Sequence, residues 1–209
     1  MMRRLWLTLW LVLVPLVLVG CAGPAEPIWA SQDRVDAAYY QHDGPTKLTL
    51  YTVQSVRSGS GGHTGLMISA DQRILFDPAG TFRHPLAPER NDVHFGITED
   101  IRKVYIDYHA RETWNVLVQE IEVSPQVAAM VARAVQDYGA VPKAQCSLST
   151  SRILSSIPGF ESIPVGYFPN RLAKAFGELP GVTETLITDD DADDNHGVLL
   201  QARRTAGGA

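Results

Sequence analysis

The sequence predicts an α+β domain in which an antiparallel sheet packs against a helix that carries a cysteine. Three observations predict it. Segments of strand character come first, at 47–56, 63–70, 73–77 and 114–123. Helix signals follow, opening at Ser124-Pro125, at Ser147 and at Pro169. Cys146 stands where a linker becomes the second of those helices. Strands gathered early and helices late is an α+β pattern rather than an alternating α/β one.

Residues 1–20 fall outside that domain. Met1-Met2-Arg3-Arg4 is basic, Leu5 to Val19 is apolar apart from Thr8 and Pro15, and Gly20-Cys21 follows. A basic start, an apolar run and then small residues form a secretion signal. The run is short of the ~20 residues a spanning helix needs. Leu18-Val19-Gly20-Cys21 resembles the bacterial lipobox, which implies a lipid on Cys21 and a membrane anchor at the cell envelope. By the same resemblance, Ala22 in place of Asp implies the periplasmic face of the outer membrane. The alternative is an ordinary cleaved signal beside a chance cysteine. Residues 21–45, rich in Ala, Pro, Asp and Gln, read as a tether.

The formal net charge is −5, and loss of Arg3 and Arg4 with the signal takes it to −7. An acidic chain without a basic stripe excludes nucleic acid as a partner, because that affinity comes from Lys and Arg meeting phosphate. The remaining length suits one domain with a real core.

The elements follow in order. Lys47–Val56 alternates as a strand, and Arg57–Gly62 is a loop. Its glycines do not make a phosphate cradle, since no Gly-Lys-Ser/Thr follows. His63–Ala70 and Arg73–Asp77 form a hairpin around Ala70-Asp71-Gln72. With an odd number of turn residues, Leu66, Ile68, Ile74 and Phe76 share one face. The other face then carries His63, Gly65, Met67, Ser69, Leu75 and Asp77, with Gly65 opposite Asp77 and His63 diagonal to Asp77 over the glycine gap. Residues 77–99 read as irregular, and Val104–Ile106 and Trp114–Val123 as strands. Ser124-Pro125 caps and starts a helix ending at Gly139. Ser147–Ile157 and Pro169–Leu179 are further helices, and Thr183–Thr188 is a last strand. Residues 189–209 read as an acidic, flexible tail. Asp191, Asp193, Asn195 and Gly197 loosely follow a calcium loop, but the glycine offset is wrong and the closing glutamate is missing. No metal-ligand spacing is present, and no cofactor is implied.

The chemistry centres on the cysteines. There are two. With Cys21 assigned to a lipid, Cys146 has no disulfide partner in an oxidising compartment. It is then an inert buried thiol, half of an intermolecular bridge, or a reactive group. A helix start stabilises a thiolate through its free N–H groups and its dipole. Cys146 also shares a helix face with Thr150, Ile153 and Ile157, the face that turns to the sheet. His63 stands at a strand end after a glycine-rich loop, where its ring can reach a cleft. His42, His84, His94, His109 and His196 are less well placed.

Gly62-His63-Thr64-Gly65-Leu66-Met67-Ile68, Phe76-Asp77-Pro78 and Ala144-Gln145-Cys146-Ser147-Leu148-Ser149-Thr150 together resemble the circularly permuted NlpC-like papain-fold cysteine hydrolases. These include the YaeF/YiiX-type envelope lipoproteins and distant relatives of lecithin retinol acyltransferase. The resemblance covers residues 46 to 180 and implies a permuted papain-like fold over 46–188. It implies Cys146 as nucleophile, His63 as base and Asp77 as the orienting third residue, with Ser69 and His84 as rivals for that third place. The Cys146 N–H and the Gln145 side chain are the expected oxyanion donors, although the family often has Asn at the latter position. The Asn-Cys-Glu-His motif of the acyltransferase branch is absent. The implied activity is an envelope amidase or peptidase acting on peptidoglycan peptides. A lipid acyl hydrolase or thioesterase, or a non-catalytic binding lipoprotein, are the alternatives.

Overall fold

The computed structural model describes residues 23–207. The signal segment and Cys21, with the lipid expected on it, lie outside the described residues. Among the described residues, no helix is long and apolar enough to cross a membrane. The described residues form an α+β fold, with six helices and a seven-stranded sheet whose strand pairs are all antiparallel.

The sheet order is β4 (Glu89–Arg90), β5 (Val93–Phe95), β3 (Arg73–Phe76), β2 (Gly61–Ser69), β1 (Lys47–Ser55), β6 (Trp114–Glu122) and β7 (Thr183–Ile187). β1 and β2 form its middle, flanked by β3 and β6. Ser69 pairs with Arg73 and Leu66 with Phe76. The hairpin turn therefore holds Ala70, Asp71 and Gln72, the odd number expected, and Gly65 comes opposite Asp77.

Period-two alternation sorts the side chains into two buried faces. On one face Leu48, Leu50, Leu66, Ile68, Ile74 and Phe76 pack beneath three helices. These are α3 (Pro125–Tyr138), α4 (Cys146–Ser155) and α5 (Pro169–Gly177). Ser124 caps α3 by accepting the Val127 N–H at 3.2 Å. On the other face Tyr51, Val53, Met67 and Leu75 pack against Ile101, Tyr105 and Tyr108.

Those last residues belong to α2 (Glu99–His109), where a strand was expected over Val104–Ile106. The β-branched run Val-Tyr-Ile suggests a strand, but three helix signals prevail. Thr98 caps the Ile101 N–H at 3.3 Å, Glu99 and Asp100 meet the positive end of the dipole, and Ile101, Tyr105 and Tyr108 recur at helical spacing.

Three further expectations differ from the structure. The irregular stretch 77–99 contains β4 (Glu89–Arg90) and β5 (Val93–Phe95), joined by Asn91 and Asp92 at φ +46° and +67°. Two positive φ values make the tight hairpin turn that Asn and Asp tolerate best. The expected tether is docked from Trp29 onward: the Ala30 N–H donates to the Glu89 carbonyl at 2.9 Å, and α1 (Gln32–Ala37) buries Val35. This covers the edge strand β4. The C-terminal segment, expected to be flexible, carries β7 (Thr183–Ile187) before it and then α6 (Asn195–Gly207), which buries Leu199 and Ala202. Val198 and Leu199 join the core of the second face.

Candidate active site

Each predicted residue reaches the site by a local rule. β3 ends at Phe76, whereas β2 runs on to Gly61. Beyond Leu66, β2 thus has no strand neighbour on the β3 side. The backbone N–H groups of Thr64, beside that gap, and of Ser147, at the start of α4, both favour the ionised form of the Cys146 thiol. The gap is what lets a helix from one face of the sheet meet a histidine on the other.

His63 links the two other predicted residues. Its Nε2 lies 2.7 Å from Asp77 Oδ1, and the ring is near enough to Cys146 for each group to shift the other's pKa. With Nε2 committed to Asp77, Nδ1 is the nitrogen left for the sulfur. The Cys146 thiol is buried, as is Asp77, whereas the His63 side chain keeps 16% of its surface exposed.

Burial disfavours the charged form of each group, but their mutual interactions prevail. Against the cost of burial, the Asp77 charge and hydrogen bond, then Cys146, raise His63 to about 10. Burial likewise works against ionised Asp77, yet His63 holds that carboxyl well below the usual range. For Cys146, burial favours the thiol, but the His63 hydrogen bond and charge and the two backbone N–H groups bring its pKa below the ordinary value. These interactions favour the ionised thiol and the protonated imidazole together.

Asp77 Oδ1 accepts a second hydrogen bond besides that of His63. The Tyr105 hydroxyl donates to Oδ1 at 2.8 Å. Gly65 leaves room for that hydroxyl, since a Cβ there would collide with it. A Cβ at Gly80 would collide with Asp77 Oδ2, which is buried without a hydrogen-bond partner. The rivals for the third place are elsewhere. Ser69 Oγ accepts from Arg73 at 3.3 Å, six residues along β2 or ~20 Å away. His84 stacks on Phe82 and accepts the Leu86 N–H.

Gln145 stands at the N-cap of α4, and its side chain makes no capping hydrogen bond. Ala144, just before it, has φ +64°. A left-handed alanine costs ~1–2 kcal/mol. The turn that presents Cys146 is therefore held in place by its surroundings rather than by its own preference.

Two residues at the site were not legible in the sequence. Tyr105 and His109 lie one turn apart on α2, and the helical spacing that pairs them was hidden when this segment read as a strand. The His109 ring lies 5.4 Å from that of His63 at 11°, and its Nδ1 is 2.9 Å from the Tyr105 carbonyl. Burial lowers His109 to about 4, despite Asp77 nearby. A cleft of about 310 Å³ opens beside these rings, walled by His63, Thr81, Tyr108, Trp114 and Asn195.

No family model, curated protein or solved structure matches this chain.

Proposed function

We propose that the protein is a cysteine hydrolase of amide bonds, built on a permuted papain-like fold and anchored at the cell envelope by a lipid on Cys21. The observation that carries this reading is the His63 ring held 2.7 Å from a buried carboxylate and beside a buried thiol whose pKa it lowers. A thiol in that setting is an activated nucleophile.

The chemistry runs through Cys146 and His63. The thiolate attacks the substrate carbonyl, and the oxygen takes the negative charge. The Cys146 N–H, at a helix start without an intrahelical partner, is the first oxyanion donor. The Gln145 side chain is the second. His63 Nδ1–H then protonates the leaving amine and the C–N bond breaks, leaving a thioester on Cys146. The neutral ring takes a proton from water, hydroxide attacks the thioester, and the acid departs as the thiolate re-forms. Asp77 fixes the ring and favours its charged state.

Peptidoglycan peptides are the proposed substrate, on the ground of compartment. A lipid acyl hydrolase remains a second reading because of one observation. Val165, Tyr167 and Phe168 are exposed, at 48%, 58% and 70%, just before α5. The first residues of that helix, Pro169 and Asn170, pack on Gly61 at the start of the strand that bears His63. Aromatic side chains there suit a lipid surface. Incubation with muropeptides and with phospholipid vesicles, read by mass spectrometry, tests the two. New peptide termini that disappear in Cys146→Ala support the amidase; release of fatty acid alone overturns it. Removing a Gln145 donor role by Gln145→Ala lowers kcat by ~10²–10³; an unchanged kcat takes Gln145 out of the oxyanion site.

A further inference from the structure

The hydrolytic reading gives His109 no task, yet His109 is held as a ligand would be. A carbonyl only accepts, so Nδ1 must donate to the Tyr105 oxygen 2.9 Å away. The neutral ring then carries a bare lone pair on Nε2. A backbone carbonyl on the remote nitrogen is the usual outer partner of a metal-bound histidine. Donor atoms of His63, Asp77 and His109 all lie within 4.8 Å of one another. Asp77 Oδ2 is buried with no partner, although the same carboxylate accepts two hydrogen bonds through Oδ1. Both histidines wall the 310 Å³ cleft, so an ion and its water can enter.

We infer that His63, Asp77 and His109 form a binding site for a divalent transition-metal ion, zinc being the best fit, and that filling it takes His63 out of proton transfer. Two imidazoles and a carboxylate, with water in the fourth place, suit tetrahedral Zn²⁺. Ligands ~2.0–2.2 Å from zinc stand ~3.3 Å apart at the tetrahedral angle. The 2.7 Å separation of His63 Nε2 and Asp77 Oδ1 therefore opens by several tenths of an ångström. The proton shared between them leaves to solvent. With zinc on Nε2, Nδ1 keeps the last proton of the ring, and releasing it would require an imidazolate. His63 then neither accepts nor returns a proton. Metal binding stands on the donor geometry alone; only its inhibitory consequence rests on the hydrolytic reading.

The test uses the reduced full chain and Zn²⁺. Competition with a chromophoric chelator measures affinity in wild type, Cys146→Ala and His109→Gln. Wild type and Cys146→Ala are expected to bind one ion per chain, and His109→Gln to bind at least 10-fold more weakly. Hydrolysis of a muropeptide by wild type is expected to fall as zinc fills the site, and the same zinc is expected to leave hydrolysis by His109→Gln unchanged. Equal affinity in His109→Gln, or loss of binding in Cys146→Ala, overturns the inference, the latter by assigning the ion to a Cys–His chelate. Should His109→Gln not fold, X-ray absorption of zinc-loaded wild type decides. Nitrogen and oxygen scatterers with an imidazole signature support the site, and a sulfur at ~2.3 Å overturns it. Tight zinc binding with a metal-free thiol no more reactive than in denatured protein would sustain the site and reject the hydrolase. A reactive thiol without zinc binding would do the reverse.

Discussion

Phe76 and Asp77 are neighbours in sequence and point to opposite faces of the same sheet. Phe76 lies with Leu48, Leu66 and Ile68 beneath α3, α4 and α5, in a layer of apolar contacts. Asp77 lies with His63, Tyr105 and His109 in a layer where charge and hydrogen bonds are buried. The first face offers stability that any well-packed apolar set could supply. The second buries groups that cost free energy unless each finds its partner. One peptide bond separates a residue that holds the fold from a residue that shapes its chemistry.

The sharpest way to break this contrast is to exchange the two effects. Phe76→Ala should cost ~3–5 kcal/mol of stability. Below its lowered melting temperature, it should leave the labelling rate of Cys146 near that of wild type. Asp77→Asn should lose less stability, because the neutral amide keeps the shape and His63 can discharge. Its thiol should label at least 10-fold more slowly at pH 6, because His63 loses the charge that raises it to about 10. Calorimetry and labelling kinetics on both variants check the pair. Slow labelling in a folded Phe76→Ala would mean that the two faces do not act separately.

Gly65→Ala places a methyl group where the Tyr105 hydroxyl sits. Overpacking of this kind costs ~1–3 kcal/mol, and it should slow labelling as well, through the displaced Tyr105–Asp77 bond. Tyr105→Phe should restore much of the stability lost in Gly65→Ala when the two are combined. Thermal melts of the two single variants and the double variant read this coupling; additive losses would show that the glycine gap serves something other than Tyr105.

The smallest effect is in the pH dependence of stability. Raised His63 keeps a proton in the fold that the unfolded chain releases above ~6.5, so by itself it makes stability fall as pH rises from there to about 10. Lowered Cys146 has the opposite sign, since the fold sheds a proton that the unfolded thiol keeps. Where both apply, the slopes cancel. Wild type should be nearly flat just above neutrality. Cys146→Ala should lose up to ~1.4 kcal/mol per pH unit over the same range. Below ~6.5 both proteins should weaken, because buried His94 and His109 are lowered to about 4 and stay neutral in the fold. Urea titrations across pH read these slopes, and parallel curves for the two proteins would show that thiol and imidazole do not share a proton.

The same contrast decides what could be read from the sequence. Period-two alternation marks Leu66, Ile68, Ile74 and Phe76, so the apolar face was legible. An odd turn was the condition under which His63 and Asp77 share the other face, and the structure supplies that turn. What covers the second face was not legible. Val104-Tyr105-Ile106 has β-branched character, and only the Thr98 cap and the burial of Ile101, Tyr105 and Tyr108 make it a helix. Tyr105 and His109 were lost with it. The short strands β4 and β5 were equally hidden, since they are two and three residues long and owe their existence to pairing with β3 and with each other. Local pattern reports a face that packs by apolar contact. It is silent about the polar cluster set into the other face, which is assembled from residues far apart in the chain.

The central claim is that His63 holds Cys146 as a thiolate, and the pH profile of Cys146 alkylation tests it most directly. The rate of iodoacetamide labelling should be measured from pH 4 to 10 in native wild type, in native His63→Ala and in urea-denatured protein. A thiolate–imidazolium pair predicts fast labelling in native wild type well below the ordinary thiol range, and its loss near neutral pH in His63→Ala. Labelling of native Cys146 no faster than in the denatured chain, or a profile unchanged by His63→Ala, would contradict it.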